Sequence, residues 1–189
     1  MALPETINHQ DYLLTVNIND EEPVRHPMDG YDIQPLFLDA ENGTWVLYAK
    51  FPPGTKLPRH FHTGTVHFFT TKGVWHYVEY PDDKQTAGSY LYEPGGSIHQ
   101  FYVPEDATEW AEGFMVVSGA NINFDDADQF VDVTDAGSLI GAVSAICQAM
   151  GREAPRYIKP GANADLTAAS QASKAELTDA KGTPISREE

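Results

Sequence analysis

From Asp32 to about Phe124 the chain is built of short apolar runs, none with the spacing of a helix. "TWVLYAKF", "TVHFFTT" (65–71), "VWHYVEY" (74–80), "SYLYEP" (89–94), "IHQFYV" (98–103) and "WAEGFMVVSG" (110–119) are rich in aromatic and β-branched residues. The breaks between them, "PPGT", "TKG", "PDDKQTAG", "PGGS" and "PEDAT", are written in glycine, proline and aspartate. Many short strands at regular spacing predict an all-β barrel or sandwich, and the lack of intervening helices excludes a parallel α/β sheet. Helix is expected only afterwards. "SLIGAVSAICQAMG" sets Leu139, Val143, Ile146 and Met150 on one face, with Asp135 as cap and Gly151 as stop.

This division gives an N-terminal arm (1–30), a barrel (31–125), a helical segment (126–158) and a tail (159–189). From Lys159 onward large apolar residues nearly vanish, so a flexible tail is expected, or an arm that orders on a neighbouring subunit. The chain carries 28 acidic against 12 basic residues, a formal charge of −16. Such a surface repels phosphate backbones and anionic membranes, so neither nucleic acid nor membrane is an expected partner. No apolar run approaches a membrane span, and the first residues have neither the basic start nor the apolar core of a signal peptide. A single cysteine, Cys147, has no intramolecular partner and belongs to the apolar helix. A cytoplasmic protein is expected. Exposed sheet edges and a tail suggest a homo-oligomer, a dimer or a tetramer.

Seven histidines serve the whole chain, and three lie in "RHFHTGTVHFF" (59–69). On a strand, His60 and His62 share one face, with Arg59 and Phe61 on the other. Two neutral nitrogens from one strand, joined by a third from a distant strand, form a facial metal set with open positions. The plainer alternative makes His60 and His62 surface residues and His99 a core histidine. Two spaced patterns outweigh it. Gly54 to Gly73 reads G-TKLPR-H-F-H-TGTV-H-FFTTK-G, and Gly88 to His99 reads G-SYLYE-P-G-G-SI-H.

These patterns resemble the cupin superfamily, whose motifs run G-x5-H-x-H-x3/4-E-x6-G and G-x5-P-x-G-x2-H-x3-N. Gly54, His60, His62 and Gly73 match the first; Gly88, Pro94, Gly96 and His99 match the second. The glutamate position holds His67, or Val66 when counted back from the glycine, and the final asparagine position holds Val103. The resemblance implies a double-stranded β-barrel of jelly-roll type, with His60, His62 and His99 reaching one metal inside it. Over residues 30–155 the chain is also similar to the 2,4'-dihydroxyacetophenone dioxygenase group. That implies Fe(II), O2 as co-substrate, and cleavage of a hydroxyketone to a carboxylic acid and formate.

Without the motif's carboxylate, three imidazoles leave iron(II) a formal charge of about +2 rather than +1, which favours a chelating anion. His67 stands either as a fourth ligand or as a residue orienting ligand or substrate from behind. Glu79, on one strand face with Trp75 and Tyr77, is a supporting carboxylate, a pocket base or an exposed acid. Glu93, turned away from Tyr92 beside Pro94, reads as structural. Phe69, Trp75, Tyr77, Tyr92, Phe101 and Phe114 are the aromatic candidates for a substrate pocket, or for barrel filling. A β-diketone dioxygenase on the same histidines and a non-catalytic zinc sensor remain the alternatives.

Overall fold

The computed structural model describes residues 14–160. Residues 1–13 of the expected arm and 161–189 of the expected tail lie outside the described residues. Twelve strands precede one helix: β1 (Val24–Arg25), β2 (Asp32–Asp39), β3 (Thr44–Phe51), β4 (Arg59–His62), β5 (Val66–Lys72), β6 (Val74–Tyr77), β7 (Tyr80–Thr86), β8 (Tyr90–Glu93), β9 (Phe101–Tyr102), β10 (Ala111–Ser118), β11 (Asn121–Phe124), β12 (Phe130–Thr134) and α1 (Ala136–Ala149).

One antiparallel sheet has the order β1-β2-β3-β10-β5-β8. Opposite it lie two three-stranded sheets, β12-β11-β4 and β7-β6-β9. Bridges His60↔His99 and Lys56↔Tyr102 join these two halves edge to edge. The architecture is the double-stranded β-barrel expected from the sequence, with a C-terminal helix.

Alternation fills the interior. Trp45, Leu47, Ala49 and Phe51 of β3 point inward, as do Val66 and Phe68 of β5. Two apolar clusters result. Leu38, Trp45, Leu47, Val66 and Val117 receive Ala136 and Leu139 of α1. Phe51, Phe68, Trp75, Phe101, Val103 and Ala111 fill the other.

Two expectations shift. "VWHYVEY" does not run as one strand: it turns after Tyr77, and Tyr80 pairs back onto Tyr77 across a two-residue loop. The polar stretch "PDDKQT", read as punctuation, is then strand β7, which tolerates charge because nearly all of it faces solvent. The segment read as helical, 126–158, opens with a strand, β12, paired to β11.

The helix keeps its predicted cap. Asp135 accepts from the Ser138 amide at 2.7 Å, the Ser138 hydroxyl accepts from the Asp135 amide at 2.8 Å, and Gly151 follows with φ of 68°. Its buried face is Ala136, Leu139, Val143 and Cys147, while Met150 is exposed. Among the described residues no helix is long and apolar enough to cross a membrane. Asp135→Ala should remove the reciprocal cap and cost about 1 kcal/mol of stability. Chemical denaturation would show this as a lower midpoint at unchanged slope.

Candidate metal centre

The site begins with backbone pairing. His60 donates its amide to the His99 carbonyl at 3.0 Å, and His99 donates to the His60 carbonyl at 2.9 Å. Gly96, at a φ of 84°, donates to the His62 carbonyl at 2.8 Å. A side chain at that φ would be strained, which explains the glycine. The two motifs, more than thirty residues apart in sequence, are thus stitched to each other at the ligands.

The three imidazoles are buried and their ligand atoms lie within 4.8 Å of one another. Their ring centroids are 4.9 Å (His60–His62), 4.6 Å (His60–His99) and 5.3 Å (His62–His99) apart. His60 Nδ1 lies 2.8 Å from the Pro58 carbonyl oxygen, to which it donates, leaving Nε2 as a free lone pair. Burial lowers His60 to a pKa of about 4, against the opposing pull of the Pro58 bond. Burial likewise lowers His99, although the Glu93 charge works against it. Neutral imidazoles are the form that binds a metal.

A fourth group is present. Glu93 is buried, and its Oε2 lies 3.1 Å from both His62 Nε2 and His99 Nε2. Its Oε1 accepts from the Tyr77 hydroxyl. Burial pushes the Glu93 carboxyl up, but His62, His99 and the Tyr77 hydrogen bond together hold it below the usual carboxylate range. Tyr77 is driven well above the usual phenol range by burial and by the Glu93 charge, so it stays a donor. Glu93 Oε2 and His99 Nε2 nevertheless have no hydrogen-bond partner. Lone pairs that converge on a common space and not on each other fit a cation. The donor set of neutral nitrogens and one carboxylate suits iron or zinc.

Glu93, read from the sequence as structural, thus lies inside the barrel against the histidines. Alternation on β8 sends Tyr90 and Tyr92 outward, both more than half exposed, and sends Glu93 inward. That it lay opposite Tyr92 was the available signal. His67 stands outside the cluster: it follows inward Val66 on β5, points to the outer face, and its Nδ1 lies 2.8 Å from the Tyr90 hydroxyl. Glu79 sits in the exposed turn after β6, where it accepts from the Gln100 amide at 2.9 Å; its charge still reaches His99 and Tyr77.

The six aromatics divide. Trp75 and Phe101 are buried in the barrel, with ring centroids 4.7 Å apart. Tyr77 bridges them to the site, 5.3 Å from the Trp75 ring and 4.5 Å from that of His99. Phe69 and Tyr92 lie on the outside of the sheet, where Phe69 packs on Tyr90 and Tyr92 on His67. Phe114, half-buried, packs against buried Tyr48, its cross-strand neighbour on β3. Sequence reasoning also passed over Asn121, directly opposite His62 on β11; Asn121 Oδ1 and His62 Nδ1 are both buried without a hydrogen bond.

Fold and site together define a cupin with a buried three-histidine centre. Residues 12–120 match the family described as the ChrR cupin-like domain, and the chain belongs to that family. A cupin-fold protein of unknown function from Ralstonia eutropha JMP134 is 44% identical, over 82% of this chain and 96% of that one, with a TM-score of 0.75. An RmlC-like cupin from the same organism is 25% identical over 77% and 93%, with a TM-score of 0.69. An acetylacetone dioxygenase from Acinetobacter johnsonii shares the fold at 22% identity over 69% and 91%, with a TM-score of 0.61. No curated protein matches the chain.

Two outcomes follow. In metal-free protein, the depressed His60 means that the unfolded chain binds more protons between pH 6.5 and about 4. Stability present above pH 6.5 should therefore fall through that window, by on the order of 3 kcal/mol for this one group. Glu93, held low, adds a further loss once the pH drops below the ordinary carboxylate range. Urea midpoints across pH would record both, with a shallower slope in His60→Gln. Separately, His67→Ala should keep full metal content by elemental analysis; a loss equal to that of His62→Ala would place His67 back at the metal.

Proposed function

We propose that the protein is an iron(II) dioxygenase that cleaves the C–C bond beside the carbonyl of an aryl hydroxyketone. The observation that carries this reading is the buried set of His60, His62 and His99 with Glu93 and Tyr77 against it. The overall change is ArCOCH2OH + O2 → ArCOOH + HCOOH, which balances without a further reductant. Iron held by the three histidines would supply the oxygen chemistry and acidify the chelating hydroxyketone.

The chain's own groups then have distinct tasks. His60, kept neutral by burial and oriented by Pro58, presents Nε2. His62 and His99 face Glu93, whose negative charge limits the net positive charge of the loaded site. Tyr77 retains its proton and donates a hydrogen bond to Glu93, fixing the carboxylate's orientation. Its ring, backed by Trp75 and Phe101, is the apolar surface beside His99 on which an aryl group would lie. The same rings keep water from the reacting centre. The role of pocket base is not given to His67 or Glu79, which sit on the outer face and in a turn.

A β-diketone is the nearest alternative substrate, since it chelates in the same way and a dioxygenase acting on acetylacetone shares the fold. A zinc-holding regulatory cupin is the second reading, favoured by the ChrR family description. Anaerobic iron loading followed by oxygen uptake with hydroxyketones and diketones separates the three. Under 18O2, one labelled oxygen is expected in each of the two acids. His60→Ala, His62→Ala and His99→Ala should each lose metal and turnover while keeping the far-UV β signal. Tightly bound zinc and no oxygen uptake with either ketone class would favour the regulatory reading.

A further inference from the structure

His67, Phe69 and Tyr92, which the sequence offered to the site, stand instead on the outside of the six-stranded sheet. Register sets them in two rows across the strands. Val46, Val116, His67 and Tyr92 are cross-strand neighbours on β3, β10, β5 and β8. Tyr90, Phe69 and Phe114 form the next row, which ends at β3 on buried Tyr48. Neither row holds an Asp, Glu, Lys or Arg, in a chain with a formal charge of −16. Phe69, Tyr90 and Tyr92 are 45%, 55% and 53% exposed. Polar side chains border the rows, with Lys50, Glu112 and Lys72 at one end and Thr44 and Ser118 at the other. An aromatic centre without charge inside a polar rim is the composition of a protein–protein interface. We propose that this face, from β3 to β8, docks a second copy of the chain to form a two-fold dimer.

Charge, symmetry and area select a copy as the occupant. The chain carries 28 acidic against 12 basic residues, so two copies repel over most of their surface. At these rows they touch without bringing carboxylates together. A two-fold contact also requires a patch complementary to itself. An axis running along the strands between β10 and β5 lays β10 of one copy over β5 of the other, and β3 over β8. Phe114 then meets Phe69 of the copy, Val116 meets His67, and Val46 meets Tyr92. The rim obeys the same operation, because Glu112 falls opposite Lys72 of the copy. Sheets stacked in this way run within about 30° of each other. Four strands about 4.8 Å apart and four rows about 7 Å apart cover on the order of 500 Å2 in plan, before side-chain relief is added. A standard interface takes about 800 Å2 from each partner, so the face approaches what a stable dimer needs. Its anchors are held in place before docking: Phe69 packs on Tyr90, and His67 Nδ1 lies 2.8 Å from the Tyr90 hydroxyl.

The proposal is independent of the metal and of the reaction. Sedimentation of the full chain at about 20 μM should give at least twice the monomer mass. The double variant Phe69→Lys, Tyr92→Lys sets two cations into the centre of the face and should halve that mass, with the far-UV β signal kept. Hydroxyl-radical labelling of the wild type needs no variant. Tyr90 and Tyr92 should label several-fold more slowly than Tyr80 of β7, which is 56% exposed and lies outside the face. A monomer at that concentration overturns the proposal. So does an assembly that survives in the double variant. Equal labelling of all three tyrosines also overturns it and moves the contact to another surface, such as the exposed edge strand β12. If the variant loses its β signal, the tyrosine labelling decides.

Discussion

The reciprocal amide bonds between His60 and His99 are the constraint on which the site depends. Together with the Lys56↔Tyr102 bridge they join two three-stranded pieces into one wall. Residues that exchange both amide bonds stand directly opposite each other with side chains on one face. Pairing His60 with His99 thus does two things with one contact. It helps close the second wall of the barrel, and it sets two imidazoles side by side on its inner surface. His62, two residues along β4, joins them by alternation alone.

Burying such a cluster costs stability unless its charges are managed. The protein meets the cost by keeping the imidazoles neutral: burial takes His60 down to about 4 and lowers His99. The one anion, Glu93, is the reverse case. It stays ionised beside two imidazoles and a phenol, with its second oxygen unsatisfied. A site that disfavours protons on nitrogen while retaining a carboxylate charge has a net demand for a cation. Proton and metal compete for the same lone pairs, so the depressed histidines lower the proton's side of that competition at neutral pH.

Strands with one buried face were legible because their alternation is strong: β3, β5 and β10 read directly from "TWVLYAKF", "VHFFTT" and "AEGFMVVS". So was α1, whose cap and stop are local signals. Strand β7 was hidden because its residues are nearly all exposed and polar, so pairing and not burial makes it a strand. His60, His62 and His99 were legible from fixed spacing, since each glycine of the motifs marks a turn that fixes where the following strand starts. The rest of the site depended on register between strands, which spacing within one segment does not carry. His67 falls outside and Glu93 inside for that reason. Phe69 and Tyr92 share their composition with Trp75 and Phe101, and only the face of each strand separates wall from surface.

Register on β8 is itself held at both ends. Gly88, at a φ of 92°, donates to the Thr70 carbonyl at 2.9 Å, and Gly96 donates to that of His62 at 2.8 Å. Between these anchors only one alternation is possible: Tyr90 and Tyr92 out, Leu91 and Glu93 in. A slip of one residue would turn Tyr92 toward the histidines and carry the Glu93 charge to the surface. The strand is four residues long and lies at the sheet edge, where pairing on one side alone specifies register weakly. The glycine turns supply what the missing neighbour strand does not. Motif glycines that never touch the centre therefore decide which side chain faces it, and with it whether the three imidazoles meet a carboxylate or a phenol.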